Sequence, residues 1–377
     1  MAIATRQAEF TVTGSVLLMA FELSAKRWLV AFGTPGQTRI RRRQMAARDT
    51  AALISEIAAA KAGFGLPATA VVHSCYEAGR EGFWWHRWLE AHAVHNRIVD
   101  SASIEVSRRK RRRKTDVVDA TALLRLLARA VSGERHLWRV VRVPSVAAED
   151  ARQLEREMVA TQTDRTRVIN RVRGLLTAQG VTLPPWRHLR EQLPLLRTGT
   201  GELLPAGLQA RVGRELTWLS TIETRLRELR RLQRVSLTPD SVGARLLQLR
   251  GIGQRGAGRL SREVFDWRTF TSGRQLGGLI GLTPTPYDSG GQRREQGISK
   301  AGNRRIRTLM VELARVWCRL QPTSALTQWF NARFAQGGPR LRRIGIVALA
   351  RKLLIALWRY LTTGAVPVGA DVKPMAA

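Results

Sequence analysis

The sequence predicts an α/β domain followed by a mostly helical remainder, and three observations carry that prediction. Short β-rich apolar runs alternate with helical stretches over the first 145 residues, two long segments of 3-4 apolar spacing follow, and the last third is helical with Gly-rich joints. The chain has 377 residues, 44% apolar and 24% charged, enough to bury two or three cores and too apolar for a disordered basic tail. Sixty-three Lys and Arg against 29 Asp and Glu leave a formal charge of +34, which points to a polyanionic partner.

Taken in order, Ser15 to Ala20, Trp28 to Phe32 and Thr38 to Gln44 read as three short strands joined by tight connections containing Gly33 and Gly36. Asp49 to Ala62 has helical spacing behind an Asp-Thr start, and Ala68 to Cys75 is a β-rich run suited to a buried strand. Glu81 to Ala93 reads as a helix, Arg97 to Val99 as a strand and Asp116 to Val131 as a helix. The order β-β-β-α-β-α-β-α is that of the RNase H-like fold, a mixed sheet with helices on both faces. This assigns residues 15–145 to the first domain.

Leu154, Met158, Thr161, Val168, Val172 and Leu175 fall on 3-4 spacing, as do Val212, Leu219, Ile222, Leu226 and Leu229. Pro184, Pro185, Pro194 and Pro205 lie between the two sets and predict a bend into an antiparallel helical hairpin over residues 146–240. That region suits either an ordinary helical core or a protruding oligomerisation arm. Residues 241–365 form the third region and 366–377 a tail. In the third, Leu246, Leu247 and Leu249 lead into Gly251-Ile252-Gly253, the pattern of a helix-hairpin-helix whose Gly-rich turn lets backbone N–H groups approach a phosphate.

The three regions carry +12, +5 and +17, counting the termini with their neighbours, so the outer two are the expected nucleic-acid-binding parts. Cys75 and Cys318 are too few for a disulfide scaffold or a four-thiolate zinc site, which fits a reducing cytosol. The apolar run from Val16 to Phe21 stops at Glu22, and Ile344 to Leu361 is broken by Arg351 and Lys352, so neither a signal peptide nor a membrane span is expected. The expected location is the bacterial cytoplasm, at the nucleoid.

Acids are scarce in this chain, and four of them sit in informative places. Glu22 follows an apolar strand, Glu77 ends a second one, and Asp116 and Asp119 share one face of a helix start. Four carboxylates brought together by such a fold would repel one another unless divalent cations neutralised them, and paired metal ions held by Asp and Glu cleave phosphodiesters. Each acid alone has a plainer reading, as a helix-start charge or a surface ion pair. Just upstream, Arg108, Arg109, Lys110, Arg111, Arg112, Arg113 and Lys114 form an unbroken cationic run suited to tracking a phosphate backbone. Further on, Tyr287-Asp288-Ser289-Gly290-Gly291 precedes Arg293 and Arg294, and Lys300, Asn303, Arg304 and Arg305 follow. Ser289 in this Gly-rich turn suits a phosphate-binding loop, a nucleophile or an ordinary loop residue, with no His within ten positions to act as its base.

Phe21-Glu22-Leu23-Ser24, Tyr76-Glu77-Ala78-Gly79, Lys114-Thr115-Asp116-Val117-Val118-Asp119-Ala120, the Leu-Arg-Gly-Ile-Gly turn, and Ser289-Gly290 followed by Ile298-Ser299-Lys300-Ala301-Gly302-Asn303 together resemble the IS one-ten family of insertion-sequence transposases, relatives of the pilin-gene invertases. The resemblance runs from about residue 15 to 365. It implies a RuvC-like domain whose acid tetrad corresponds to Glu22, Glu77, Asp116 and Asp119, a coiled-coil segment, and a C-terminal transposase domain in which Ser289 forms a 5′-phosphoserine with DNA. It also implies Mg²⁺, a structured bridge RNA that pairs with donor and target DNA, and a tetramer in which one subunit's acids meet another's serine. The first tetrad position is usually Asp and here is Glu22. Two other readings fit the residues: a RuvC-like, metal-dependent, structure-specific nuclease in which Ser289 is a loop residue, and an inactive nucleic-acid-binding relative.

Overall fold

The computed structural model describes residues 15–104, 116–135, 137–289 and 292–373. By contact the chain divides into two compact units, Met1–Val143 and Pro144–Ala377.

In the first unit β1 (Val16–Leu23), β2 (Arg27–Gly33) and β3 (Arg41–Ala46) form a meander, followed by α1 (Thr50–Gly63), β4 (Val71–Glu77), α2 (Trp84–Ala91), β5 (Val94–Val99) and α3 (Asp116–Val131). This is the element order read from the sequence, with one 3-10 turn added at Ser101–Ser103. The sheet runs β3-β2-β1-β4-β5, with β2 antiparallel to both neighbours and β1, β4 and β5 parallel. Central β1 reads as an unbroken apolar run because both its faces are covered. Leu17, Met19 and Phe21 join Trp28, Trp85 and Leu53 of α1 in one core, while Leu18 and Ala20 join Leu123, Leu124 and Leu127 of α3 in the other.

Several boundaries differ from the sequence expectation: β1 runs on past Ala20 to Leu23, β4 covers Val71–Glu77 in place of Ala68 to Cys75, and three starts shift for a local reason. β3 begins at Arg41, not Thr38, after the turn at Pro35-Gly36. There Arg41 and Arg43 reach Glu56 of α1 at 2.5 and 3.4 Å, and Arg42 Nε donates to Thr121 Oγ1 of α3 at 3.2 Å. α2 begins at Trp84, not Glu81, because Gly82 has φ 61° and the Glu81 carboxylate is taken up by Arg48. β5 starts at Val94, three residues early, since it pairs with β4 from Val72↔Val94 to Glu77↔Val99.

The second unit opens with α4 (Val146–Thr177), capped by Ser145 whose Oγ accepts from Ala148 N. After the short α5 (Leu189–Gln192) comes α6 (Ala206–Val235), antiparallel to α4, with Arg165 on Glu223 and Arg171 on Glu215, each at 2.9 Å. Val168, Val172 and Leu176 meet Val212, Leu219 and Ile222 along the seam. α7 (Val242–Leu247) and α8 (Gln254–Leu260) flank the Gly251 turn, and α8 runs on into a π-helical turn at Ser261–Phe265. Then come α9 (Gly273–Ile280), β6 (Pro284–Ser289), β7 (Gln292–Ile298), α10 (Arg304–Leu320), α11 (Ala325–Phe330) and α12 (Pro339–Thr363). Leu249, Ile252, Ile280, Leu313, Trp317 and Leu353 lie at the centre of their core. The β6–β7 hairpin interrupts what the sequence suggests as a helical region.

Where α4 and α6 meet α8, a polar network is buried. Gln233 Nε2 donates to Glu155 at 2.5 Å, and the Glu263 carboxylate accepts from Arg152 and Arg156 at 3.3 and 3.1 Å, with Arg152 stacked over Trp267. Burial pushes the Glu155 carboxyl above its ordinary range, against the hydrogen bond from Gln233. The C-terminal segment returns to the Gly251 turn: Val372 bridges Leu249, and Lys373 Nζ donates to the carbonyls of Leu247 and Ile252 at 2.9 and 3.1 Å. Among the described residues no helix is long and apolar enough to cross a membrane.

Candidate active site

Two groups of residues singled out in the sequence take shape, one in each unit. In the first, β1 and β4 are adjacent parallel strands paired up to Phe21↔Tyr76, and the next residue on each is Glu22 and Glu77. Ala20 and Cys75 face α3, so strand alternation places Glu22 and Glu77, two residues on, along that same face at the C-terminal edge of the sheet. Glu22 is half-buried and Glu77 exposed.

The direction of α3 brings its first turn to this edge. Thr121 meets Arg42, which pairs with Ala31 beside Ala20, and the Leu123 carbonyl lies 3.8 Å from Cys75 Sγ. Leu124 reaches Gly33, which pairs with Leu18 further down β1. One helical turn rises about 5.4 Å and two strand residues about 6.6 Å. Going back one turn from Leu123 therefore carries the helix from the level of Ala20 toward that of Glu22, where Asp119 lies, and Asp116 begins the helix one further turn on. Asp119 is half-buried, while the Asp116 side chain lies outside the described residues, as does the whole run from Arg108 to Lys114. Among the described residues, no three His, Cys, Asp or Glu side chains stand close enough to hold a metal ion. Glu22, Glu77 and Asp119 thus share an edge and a face without closing into a coordination shell.

The loop after Glu77 is fastened by a group that the sequence does not reveal. Glu81, with its side chain 2% exposed, accepts from Arg48 Nε and Nη2, both at 3.0 Å, and from Trp84 Nε1 at 3.0 Å. The Arg48 hydrogen bond is the main cause that holds the Glu81 carboxyl below its ordinary range. Tyr76 Oη donates to the Gly82 carbonyl, tying the same loop to β4. Deeper on the α3 face, burial pushes the Cys75 thiol well above its usual range and lowers the Arg97 guanidinium beside it.

In the second unit, Ser289 is the last residue of β6 and pairs with Gln292, while Asp288 pairs with Arg293 and Tyr287 with Arg294. Gly290 and Gly291 between them, and the side chains of Ser289, Arg293 and Arg294, lie outside the described residues. The base of the hairpin is knitted by backbone bonds: Ser299 N to Thr283 O at 2.9 Å, Lys300 N to Gly281 O at 3.1 Å and Asn303 N to Leu279 O at 2.8 Å. Main chains approach so closely that a Cβ on Gly281 would strike the Ala301 carbonyl, and one on Gly302 that of Leu279. Both glycines also have positive φ, 67° and 79°, which only Gly adopts without strain.

Asn303 caps α10, its Oδ1 accepting from Arg305 N and Ile306 N at 3.1 and 3.2 Å. Lys300, Arg304 and Arg305 are exposed around it. Gly251, with φ 92°, packs beside Trp317 and Leu320 of α10, and Gly253 is the N-cap of α8. Gln321 Nε2 donates to the Arg250 carbonyl at 2.8 Å, so this turn is also held from α10's end. Arg307, which the sequence leaves undistinguished, donates through Nη1 to the carbonyls of Ile280 and Ala301 at 2.9 and 3.2 Å.

Comparison with known proteins places the chain in one family. The family model described as "Transposase IS116/IS110/IS902 family" matches residues 243–329, a span that runs from α7 into α11 and includes the β6–β7 hairpin. The protein y4rJ of Sinorhizobium fredii, a transposase by name, is 39% identical over 379 residues, covering 95% of this chain and 94% of that protein. The transposase for insertion sequence element IS1111A of Coxiella burnetii is 28% identical, covering 82% of this chain and 80% of its own. The transposase for insertion sequence element IS1328 of Yersinia enterocolitica is 29% identical over 56% of this chain and 63% of its own. With near-complete coverage by a relative of this identity, the chain belongs to the IS116/IS110/IS902 family of transposases.

Proposed function

We propose that this protein is an insertion-sequence transposase that cuts and rejoins DNA through Ser289, assisted by Mg²⁺ at the carboxylates of an RNase H-like, RuvC-like first unit. The observation that carries the reading is the placement of Glu22 and Glu77 at neighbouring positions on adjacent parallel strands, at the edge approached by the first turn of α3. The strand order β3-β2-β1-β4-β5, with its antiparallel meander, supports the fold assignment. An all-carboxylate donor set suits a hard divalent cation, and Glu22, Glu77, Asp116 and Asp119 would hold it. When bound, Mg²⁺ supplies Lewis-acid polarisation of the phosphoryl oxygens and screening of charge.

The chain's own residues do the rest. Ser289 Oγ bonds to phosphorus as the P–O3′ bond breaks. The serine proton is lost and the leaving 3′ oxygen gains one. The 5′-phosphoserine conserves the phosphodiester, so a 3′-hydroxyl can attack it later and rejoin a strand without an external energy source. Arg108 to Lys114, Arg293, Arg294, Lys300, Arg304 and Arg305 hold phosphates, with Gly251 and Gly253 offering backbone N–H groups. Asn303 contributes by fixing the helix that presents Arg304 and Arg305.

The same reading includes a bridge RNA that pairs with donor and target DNA. It also includes a homo-oligomer, up to a tetramer, in which acids of one copy serve the serine of another, and action at the nucleoid in the cytoplasm. The deciding experiment incubates the protein with its copurified RNA, Mg²⁺ and labelled element-end DNA, and resolves the products on denaturing gels. The unaltered protein is expected to form a covalent protein–DNA adduct, and Ser289→Ala to lose both adduct and cleavage. Cleavage retained by Ser289→Ala would instead establish a hydrolytic nuclease, and full activity of Asp119→Ala would remove the carboxylates from the mechanism.

A further inference from the structure

We propose that Arg307 is a positioning residue: it pins both roots of the β6–β7 hairpin and so fixes where Ser289 stands. The proposal rests on Ser289 being the nucleophile. A hairpin of two short strands holds its shape poorly in water unless something else supports it. Here the pairing is further disturbed by a register shift between Pro284 and Pro286. Of the hairpin's described side chains, Ile298 at its root joins the core. The position of Ser289 is therefore set at the base, where the chain leaves α9 and enters α10.

Arg307 stands at that base. It lies one turn into α10, its N–H bonded to the Asn303 carbonyl at 3.0 Å. One nitrogen, Nη1, donates to Ile280 O just before the hairpin and to Ala301 O just after it. Ile280 ends α9, so its carbonyl lacks an intrahelical partner and sits at the negative end of the helix dipole, where a guanidinium is favoured. The crowding at Gly281 and Gly302 leaves the two strand roots no room to slide while this clamp is in place. A cation in so basic a region is ordinarily read as a phosphate contact. Arg307 differs from the exposed Arg304 and Arg305 in being half-buried, with its Nη1 donating to two carbonyl oxygens of its own chain.

The test uses the full-length protein with three readouts: amide hydrogen exchange, affinity for element-end DNA, and the rate of Ser289–DNA adduct formation at saturating DNA. Arg307→Met is expected to raise exchange at Ser299, Lys300 and the β6–β7 amides at least tenfold, with α10 from Leu309 to Trp317 unchanged. Adduct formation should slow by on the order of 100-fold, the cost of a misplaced reacting group, while DNA affinity stays within about twofold. Arg307→Lys keeps a charged donor able to reach one or both carbonyls and should recover part of both effects. It also guards against Arg307→Met simply failing to fold.

The proposal is overturned if hairpin exchange is unchanged in Arg307→Met, or if the hairpin loosens without slowing the adduct. It is also overturned if the main loss is DNA affinity with a salt slope shallower by about one, the mark of a lost phosphate contact. Absence of an adduct in the unaltered protein would remove the serine reading, and exchange alone would then decide the clamp.

Discussion

Single residues differ in how far the sequence exposes them, and the difference is physical. Glu22 and Glu77 stand out because each follows an apolar run in a chain with few acids, and they come next after the paired Phe21 and Tyr76. Glu81 and Arg307 do not stand out. The first depends on Arg48, 33 residues away, and the second sits in an Arg-Arg-Ile-Arg sequence where nothing separates it from its neighbours until the carbonyls of Ile280 and Ala301 are in place. His73 is equally silent in sequence. It is buried beneath the α3 face with its ring 5.3 Å from that of His95, and burial first, then the charges of His95 and Arg97, push it down to about 4 from 6.5. Between pH 6.5 and 4 the unfolded chain binds a proton at this position that the folded one refuses. Its contribution is therefore complete above pH 6.5 and is lost as pH falls toward 4. Urea unfolding of the first unit, followed through Trp28, Trp84, Trp85 and Trp88, should show a midpoint that drops between pH 7 and 5, and by less in His73→Gln. Equal drops in both proteins would contradict this.

At the scale of elements, long periodic segments are the most legible. The 3-4 spacing gives α4 and α6, and the four intervening prolines give their antiparallel return. Short strands are legible but their ends shift by up to three residues, because turn residues and partner lengths, not local composition, set them. The β6–β7 hairpin does not stand out in the sequence although two glycines lie between its two polar runs, a common signal for a two-residue hairpin connection. Its strands contain Pro, Asp, Glu and Gly, residues depleted in strands. The contact of α8 with α4 and α6 rests on Gly258, where a Cβ would stand 2.5 Å from Gln233 Nε2 and 2.6 Å from Glu155 Oε1. Gly258→Ala should lower stability by about 1–3 kcal/mol, the usual cost of overpacking, despite the gain in helix propensity. Chemical denaturation measures it, and a variant as stable as the parent would show that the buried pair can move aside.

For the whole molecule, the charge of +34 indicates a polyanion from the sequence alone, and the structure adds where cations are already spent. Arg41, Arg152, Arg156, Arg165, Arg171 and Arg225 are engaged by carboxylates, and Arg307 by carbonyls. Lys300, Arg304, Arg305, Arg340, Arg342 and Arg343 are exposed, and no Asp or Glu occurs between Glu312 and Asp371. Affinity for duplex DNA should therefore fall steeply with salt, with a log–log slope of about −5 or steeper, each phosphate contributing about −0.9. Fluorescence anisotropy across a salt series checks this, and a slope near −1 would refute broad phosphate engagement. The edge strand β3 has a consequence for assembly. Among the described residues no strand pairs with its outer side, and its first three residues are all Arg, with Glu56 offsetting part of the charge. A second β3 laid against it would bring like charges within about 5 Å across the ladder. A row of Arg on that edge therefore disfavours pairing edge to edge with a second sheet.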